Sequence, residues 1–318
     1  MISGKTVFIT GGAGFIGSTL AGRLVAKNRV VLFDNLSRNA LRDQPFRDHP
    51  NLRLIEGDIL DPAALATAMS GADVVVHCAA IAGIDTVIRE PVTTMRVNLV
   101  GSANVLEAAA RLDHLDRIVC FSTSEVFGQH SFRSAESDAT VMGAVGEARW
   151  TYAVSKLAEE HLAVAYFQQM QLPTTVVRPF NVYGPGQVGE GALRTFIIKA
   201  LRDEPIEIHG DGTQIRAWCY IDDMIDGLLL AIENPRAIGE SFNIGNQRAI
   251  VTIYGLANTV VRVLGSRSTI GFTRKDYVDV ELRVPSVGKA AEILGFEARI
   301  DLEEGIRRSA DHYRGRPA

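Results

Sequence analysis

The chain has 318 residues, of which 47% are hydrophobic and 22% are charged, and its formal net charge is −4. This composition is typical of a globular protein with a full hydrophobic core, in one large or two modest domains. The weak negative charge gives no electrostatic reason to expect nucleic acid or an anionic membrane as a partner. Three widely spaced cysteines match no zinc-site spacing, and no signal-type segment or membrane-length apolar run is present, which favours a cytoplasmic protein without a structural metal.

A glycine-rich turn lies between the first apolar strand and the first helix-patterned segment. Gly11, Gly14 and Gly17 are spaced by three. Gly11 permits a tight turn, Gly14 lets a diphosphate approach the backbone, and Gly17 lets the helix pack closely. Asp34 ends the next apolar run and suits an adenosine ribose with free hydroxyls. The context therefore predicts an NAD site, and the alternative is a tight turn without a ligand.

Strand-like apolar runs alternate with helix-patterned segments through the first half of the chain. This order predicts an α/β fold with a doubly wound parallel (Rossmann) sheet and a smaller C-terminal substrate-binding domain. Glycine and proline crowd together after Pro179, which favours a domain change there. We predict an NAD-binding domain over residues 1–179, to which 215–245 returns, and a substrate-binding domain over 180–318.

Several residues follow the predicted strands and face the expected crevice. Asp58 follows the third strand, where it suits either an adenine amino group or the cap of the next helix, and the sequence leaves both open. His77 ends the fourth strand and is better explained as a core histidine than as a catalyst. The small residues Ala79 and Ala80 let the chain pass beneath a cofactor.

Tyr152 and Lys156 lie four residues apart in a helix-patterned segment, which places them on one face. A phenol has a pKa of about 10 and is a poor base at neutral pH. A neighbouring ammonium favours the phenolate and should lower this pKa toward a working value.

A polar turn follows the fifth predicted strand. Thr123 can donate a hydrogen bond to a substrate hydroxyl beside Tyr152, and Glu125 can remove a carbon-bound proton. The alternative makes Thr123 and Ser124 turn formers and Glu125 a solvated charge.

These motifs together resemble the extended short-chain dehydrogenase/reductase family. They are the glycine run, the Thr-Ser-Glu turn, Tyr-x-x-x-Lys, and Arg178-Pro-Phe-Asn-Val-Tyr-Gly-Pro-Gly186, and the likeness continues through 211–216 and 287–295. That family holds NAD-dependent sugar-nucleotide epimerases, dehydratases and decarboxylases. The resemblance implies a UDP-sugar substrate and a homodimer packed through the helices around 93–111 and 150–169.

The resemblance also implies a role for individual positions. Residues that would contact NAD are Gly11, Gly14, Phe15 and Ile16 at the diphosphate, Asp34, Asn35 and Ser37 at the adenosine ribose, Asp58 and Ile59 at the adenine, and Ala79, Ala80, Tyr152, Lys156 and Pro179 toward the nicotinamide end. Residues that would contact the substrate are Asn181 and Arg216 at its diphosphate, Arg274 as a second phosphate-binding arginine, His209 at the nucleobase, and Leu193. For both arginines the alternative is a surface charge.

The predicted reaction is a redox-neutral dehydration of a UDP-hexose or UDP-hexosamine. Tyr152 takes the proton of the 4-hydroxyl during oxidation at C4, Glu125 removes the C5 proton, and the 6-hydroxyl leaves before hydride returns. Ser124 stands where sugar 4,6-dehydratases carry an aspartic acid, so a 5,6-elimination is also open. The chain is similar in this respect to the UDP-N-acetylglucosamine 5,6-dehydratases of tunicamycin-type antibiotic pathways.

Three other functions stay open from the sequence. One is a UDP-sugar 4-epimerase. Another is a UDP-glucuronate decarboxylase, because the Thr-Ser-Glu triplet also resembles that of these enzymes. A decarboxylase needs a cation that binds the substrate carboxylate, and the sequence alone cannot place this cation. The last is a non-catalytic NAD-binding regulator, against which the joint presence of Thr123, Tyr152 and Lys156 argues.

Overall fold

A large parallel sheet forms the centre of the fold in the computed structural model, which describes residues 2–274 and 279–315. The strands are β1 Thr6–Thr10, β2 Arg29–Asp34, β3 Leu52–Glu56, β4 Val74–His77, β5 Arg117–Phe121, β6 His130–Ser134, β7 Thr174–Pro179, β8 Val182–Tyr183, β9 Ile206–His209, β10 Ile215–Ala217, β11 Cys219–Tyr220, β12 Ser241–Ile244, β13 Ile250–Thr252, β14 Ile270–Thr273 and β15 Leu282–Pro285.

Helices cover both faces of the large sheet and build much of the C-terminal half. They are α1 Phe15–Leu24, α2 Pro62–Met69, α3 Ile84–Arg89, α4 Pro91–Met95, α5 Gly101–Ala110, α6 Thr151–Met170, α7 Ala192–Leu201, α8 Ile221–Glu233, α9 Ile253–Leu264 and α10 Leu302–Tyr313. Short 3-10 turns occupy Leu41–Asp43, Ser124–Phe127, Ala148–Trp150 and Pro235–Ala237, and π-helical turns occupy Arg96–Val100 and Ala290–Leu294. The long helix predicted around 93–111 is thus a run of α4, a π turn and α5.

The large sheet has seven parallel strands in the order β12-β7-β5-β4-β1-β2-β3. Successive strand residues point to opposite faces, so Val7 and Ile9 join one core while Phe8 joins the other. Both faces are buried, which is why these strands read as continuous apolar runs. The doubly wound sheet predicted from the sequence is confirmed.

The chain crosses between the large sheet and a smaller region more than once. A four-stranded sheet has the order β13-β10-β15-β6, and β8 and β9 pair with β11 and β14 respectively. Helix α8 packs on β5 and β7, and β12 pairs with β7, so both lie with the large sheet. Residues 215–217, as β10, lie in the smaller sheet. The domain boundaries 1–179 and 180–318 stay a prediction.

The sequence pattern over residues 243–313 predicts a small lid of helices and loops, and the strands β13, β14 and β15 within this range depart from it. These strands have three or four residues each, which is too short for a clear period of two. Within residues 2–274 and 279–315, no helix combines the length and apolar character needed to cross a membrane.

Candidate active site

The glycine turn packs too closely for any larger residue at two of its positions. Gly11 has a φ of +64°, and a Cβ there would lie 2.6 Å from the backbone nitrogen of Ala79. A Cβ on Gly17 would lie 2.4 Å from the carbonyl oxygen of Gly11. Among the described residues, no side chain caps α1 and its first turn holds no acidic residue. The N-terminus of this helix is therefore a suitable site for an anionic diphosphate, with Phe15 and Ile16 in its first turn.

The carboxylate of Asp34 lies at the end of β2, beside the glycine turn. It accepts hydrogen bonds from the backbone N–H groups of Ala13 at 3.0 Å and Leu36 at 2.7 Å. Asn35 and Ser37 follow in an exposed turn, where the Asn35 side chain accepts from the N–H of Ser37 at 3.1 Å. The three side chains expected at an adenosine ribose are therefore close neighbours at one strand end.

The other residues expected near NAD also lie around strand ends of the large sheet. Asp58 is exposed and accepts from the N–H of Leu60 at 2.9 Å. The helix-cap alternative for Asp58 is wrong, because Asp61 caps α2 through the N–H groups of its first turn. Ile59 packs beneath Gly101 and is 5% exposed, so little of its side chain is open to an adenine. The half-buried residues Ala79 and Ala80 follow β4, and Pro179 ends β7.

The arrangement fits a dinucleotide. An uncapped helix N-terminus, a carboxylate at the end of β2 and small residues after β4 are the groups that such a cofactor requires at these places.

Tyr152 and Lys156 are one turn apart on α6, as the spacing predicts. Lys156 is almost fully buried, and Tyr152 is partly buried. Burial raises the pKa of Tyr152 above its usual 10, while the Lys156 ammonium and a hydrogen bond with Thr123 act to lower it. The expectation that the pKa of Tyr152 lies below its usual value is therefore wrong. Burial and the carboxylates of Glu125 and Glu159 raise this pKa by more than the Lys156 ammonium lowers it.

The Thr-Ser-Glu turn begins with a side-chain cap. The Thr123 hydroxyl oxygen accepts from the N–H of Glu125 at 3.2 Å, which starts the 3-10 turn Ser124–Phe127. Thr123 therefore forms the turn and also bonds to Tyr152. Ser124 is 2% exposed, so its hydroxyl lies within the protein rather than at the surface.

Glu125 is buried in a cluster of charges that we call the arginine cluster, made of Arg149, Arg216, Arg283, Glu125 and Asp279. Arg149 binds Glu125 through Nη1–Oε2 at 2.5 Å and Nη2–Oε1 at 3.2 Å, and Arg283 Nη1 lies 3.4 Å from Glu125 Oε1. Asp279 lies 3.6 Å from Arg149 and 3.5 Å from Arg216. The alternative of a solvated Glu125 is wrong, since the side chain is 13% exposed.

The arginine cluster decides the protonation state of Glu125. Burial alone would raise the pKa of this carboxyl, but the charges of Arg283 and Arg149 outweigh it and hold the pKa below 4.5. Glu125 is therefore ionised at neutral pH and firmly paired, which makes it a weaker base than the sequence suggests.

Arg283 has bonding capacity that the described residues do not use. Its Nε and Nη2 atoms are buried and have no hydrogen-bond partner in the described part of the chain. These two atoms form one edge of the guanidinium, and that edge binds a carboxylate through two parallel hydrogen bonds. Arg283 also lies close enough to Tyr152 for their charges to interact. A buried cation with an unpartnered pair of donors thus lies in the arginine cluster, against Glu125 of the Thr-Ser-Glu turn.

We expect the pairs of Glu125 to stabilise the fold at neutral pH and not in acid. The folded-state pKa lies below 4.5, so the contribution is fully present above about pH 4.5 and is lost as the pH falls through the folded value. The difference in Tm between the wild type and Glu125→Gln should be large at pH 7 and shrink below pH 4.5. A difference that does not change with pH would contradict this assignment.

The residues expected at the substrate diphosphate are partly occupied within the protein. Asn181 has a φ of +39° and its Nδ2 donates to the Ala217 carbonyl at 2.8 Å. Arg216 is 7% exposed and donates to the carbonyls of Val280 and Ile215, so the surface-charge alternative is wrong for it. Burial lowers the pKa of Arg216 to about 10. The Leu193 side chain is fully buried in the larger core, and its role at the substrate stays a prediction.

His209 and Arg274 lie together on the small β9–β14 ladder. His209 is exposed at the end of β9 and pairs in register with Thr273, which Arg274 follows. Arg274 is also exposed, as its surface-charge alternative requires. Their roles at a nucleobase and a phosphate stay predictions.

Sequence reasoning missed Arg149, Arg283 and Asp279. Arg149 had a usable signal, since it precedes Tyr152 by three residues and so lies on the same side of the turn into α6. Arg283 and Asp279 had none, because they lie more than 120 residues beyond Tyr152 and reach it only where β15 pairs beside β6.

The whole chain is similar to known proteins, and residues 7–245 match the NAD-dependent epimerase/dehydratase family. It is 32% identical to a UDP-N-acetyl-alpha-D-glucosaminuronate decarboxylase of Bacillus cytotoxicus, over 98% of each chain. It is 33% identical to UDP-glucuronic acid decarboxylase 3 of Arabidopsis thaliana, over 97% of this chain and 89% of the relative. A solved UDP-glucuronic acid 4-epimerase of Bacillus cereus, in complex with UDP-glucuronic acid and NAD, matches with a TM-score of 0.88 and 30% identity over 96% of this chain and 98% of that chain.

The fold, the NAD-type glycine turn and the Tyr152–Lys156 pair agree with these matches, and the three similar proteins each cover nearly the full chain. The chain therefore belongs to the NAD-dependent epimerase/dehydratase family, and NAD is its cofactor.

Proposed function

We propose that this chain decarboxylates a UDP-linked hexuronate in a redox-neutral reaction. The observation that carries this proposal is the buried, unpartnered donor edge of Arg283, which lies in contact with Glu125 in the arginine cluster. A sugar carboxylate that enters a buried site needs a cation, and the edge of Arg283 binds it in a bidentate manner. The sequence alone could not place the cation that a decarboxylase needs for the substrate carboxylate. In this proposal, Arg283 is that cation. The similarity to decarboxylases of UDP-uronic acids supports the same substrate class.

The residues divide the work of the reaction as follows. Tyr152 accepts the proton of the sugar 4-hydroxyl in its phenolate form, which the Lys156 ammonium and the hydrogen bond with Thr123 favour against burial. NAD held at the glycine turn and Asp34 would supply reversible hydride transfer at C4. The resulting 4-ketone makes the sugar a β-keto acid, so the C5–C6 bond breaks, carbon dioxide leaves and the electron pair passes to the C4 oxygen as an enolate. Arg283 holds the carboxylate until this step. C5 then takes a proton from solvent, which restores the 4-ketone; on reduction of that ketone, Tyr152 returns its proton to the C4 oxygen.

Glu125 has a positioning role in this mechanism. Its carboxylate contacts the guanidinium groups of both Arg149 and Arg283 and so positions the two cations. A buried arginine without a carboxylate partner would be costly, so Glu125 stabilises the site before a substrate arrives.

Dehydration of a UDP-hexose or UDP-N-acetylglucosamine, the prediction from the sequence, is the second candidate. One observation favours it: the charge of the Glu125 carboxylate acts on Tyr152 and raises the pKa of the phenol. A base that removes the C5 proton must likewise lie near the tyrosine. Against it, Arg283 and Arg149 lower the pKa of Glu125 and weaken it as a base.

A product assay separates the candidates. The purified chain is incubated with UDP-glucuronate, UDP-N-acetylglucosaminuronate, UDP-glucose and UDP-N-acetylglucosamine, and products are identified by mass and NMR. We expect loss of carbon dioxide from a uronate and no change in the neutral sugars. Loss of water would support the dehydratase instead, and an unchanged mass with inverted C4 would support an epimerase. The absence of any product with NAD bound would support a regulator.

The chain also presents a surface suited to a homodimer. Val92, Val100 and Val154 are 79%, 47% and 39% exposed on α4, the following π turn and α6, which pack against each other. We expect a dimer by light scattering, and we expect Val100→Glu to shift it toward monomer. Met170→Glu, at the far end of α6, is the control. A monomeric wild type would contradict this proposal.

A further inference from the structure

Two segments border the crevice expected to hold NAD, and both rest on the glycine turn. One is the β2 loop, residues 35–41, whose Ala40 N–H donates to the Ala13 carbonyl at 2.7 Å. The other is the β4 segment, residues 78–86, which passes against Gly11 and continues into α3. Because the strand order is β4-β1-β2, the two segments lie on opposite sides of the glycine turn. The crevice therefore has this turn as its floor and one segment on each side.

The carboxylate of Glu190 joins these two sides. It accepts hydrogen bonds from the N–H groups of Asp85 at 3.0 Å and Thr86 at 3.2 Å, and from the Thr86 hydroxyl at 2.7 Å, all in the β4 segment. Its Oε1 atom lies 3.9 Å from Nη2 of Arg38 in the β2 loop. With these contacts the chain forms a closed ring around the crevice, in which Glu190 is the bridge.

Glu190 belongs to neither side of the crevice. It lies on the loop 184–191, between β8 and α7, in which four of the eight residues are glycine. The Tyr313 hydroxyl of α10 lies 3.0 Å from the Gly184 carbonyl oxygen and 3.2 Å from that of Gln187, so the start of the loop is held from the C-terminal half. The glycines let the end of the loop turn without disturbing that anchor. The Glu190 side chain is 31% exposed, so its contacts can break locally while the rest of the fold stays intact.

We propose that Glu190 is a positioning residue that keeps the crevice closed over NAD and so slows both the entry and the release of the cofactor. A dinucleotide that lies on the glycine turn and reaches Asp34 passes between the two segments, and Glu190 closes the opening above it. A redox-neutral reaction uses such a closure, because the cofactor must stay in place between the two hydride transfers. A cofactor released after the first transfer would leave an oxidised sugar that the chain could not reduce.

The test measures the rates at which the full chain binds and releases NADH, with no sugar present. Release is followed by the change in NADH fluorescence when excess NAD displaces the bound NADH, and binding is followed after NADH is mixed with the cofactor-free chain. In Glu190→Ala both rates should rise about 10- to 100-fold, because hydrogen bonds to a charged group contribute a factor of this size. The Kd should change less than about threefold, since entry and release pass through the same opening.

Two further variants connect this effect to the bridge. Thr86→Val removes one of the hydrogen bonds to Glu190 and should raise both rates by a smaller factor. In the double variant it should add nothing, because that contact is already lost. Glu297→Ala removes a carboxylate that pairs with Arg248 at 3.6 Å in the C-terminal half, and both rates should stay at their wild-type values.

Unchanged rates in Glu190→Ala would overturn the proposal, as would additive effects of the two substitutions. A faster release with a matching loss of affinity would overturn it too, because Glu190 would then shape the cofactor site rather than close it. The inference rests on NAD as the cofactor and not on decarboxylation, so a failed product assay leaves these outcomes separately readable.

Discussion

Tyr152→Phe is expected to reduce kcat about 10²- to 10⁴-fold while the chain still binds NAD. The substitution removes the phenolic oxygen, which is the group that accepts the 4-hydroxyl proton, and proton transfer by a positioned side chain contributes a factor of this size. The aromatic ring and the Lys156–Glu159 pair stay, so the fold and the cofactor site should be preserved. The measurement is steady-state turnover of the UDP-sugar found active in the product assay, with bound NAD quantified after purification.

The same helix offers a matched control. Tyr166 lies on α6 and packs against the core cluster on one face of the large sheet, away from the glycine turn. Tyr166→Phe should change kcat less than about twofold, since it removes an equivalent hydroxyl without a catalytic contact. Full activity of Tyr152→Phe would mean that another group is the base, and the mechanism would then have to be abandoned.

Arg283→Gln is expected to reduce kcat/KM for a UDP-hexuronate by about 30- to 4000-fold. Truncating one member of a buried, hydrogen-bonded charge pair costs about 2–5 kcal/mol, and each 1.4 kcal/mol is about tenfold. Here the lost pair is the one between the guanidinium edge and the substrate carboxylate. Glu125 keeps Arg149 as a partner at 2.5 Å, so the variant retains a paired carboxylate at this place. Kinetics with the uronate measure the effect.

Two controls distinguish carboxylate binding by Arg283 from a structural role in the site. Arg283→Lys keeps the charge but loses the two-pronged geometry, so it should recover only part of the activity. Binding of a neutral UDP-hexose, measured by calorimetry, should be nearly unchanged in both variants. An equal loss of affinity for neutral and acidic sugars would show that Arg283 shapes the site rather than binds a carboxylate, and dehydration would become the better account.

Local patterns predicted much of the fold and half of the candidate site. Alternating apolar runs predicted the parallel sheet because both of its faces are buried, and the spacing of Gly11 and Gly17 predicted a turn that has no room for a Cβ. The Tyr152–Lys156 spacing predicted two side chains on one helical face, because residues four apart in a helix lie one turn apart. In these cases the deciding signal is a pattern within a short stretch of sequence, even where the contact it serves is distant, as between Gly11 and Ala79. The burial of Leu193 in the larger core could not be predicted in this way, because a position in a motif does not say how deeply its side chain is buried.

The sequence by itself determined the fold class, the cofactor and the tyrosine–lysine pair, because backbone geometry and helical spacing are local properties. Only the tertiary structure decided the charge around that pair. Glu125 changes from an apparent free base to a paired carboxylate because Arg283, 158 residues away, arrives on a strand of another sheet. Glu159 and His77 become part of one buried network because β1, β4, α5 and α6 converge on one point. Electrostatic interactions depend on distance and burial in space, and neither quantity can be read from separation along the chain.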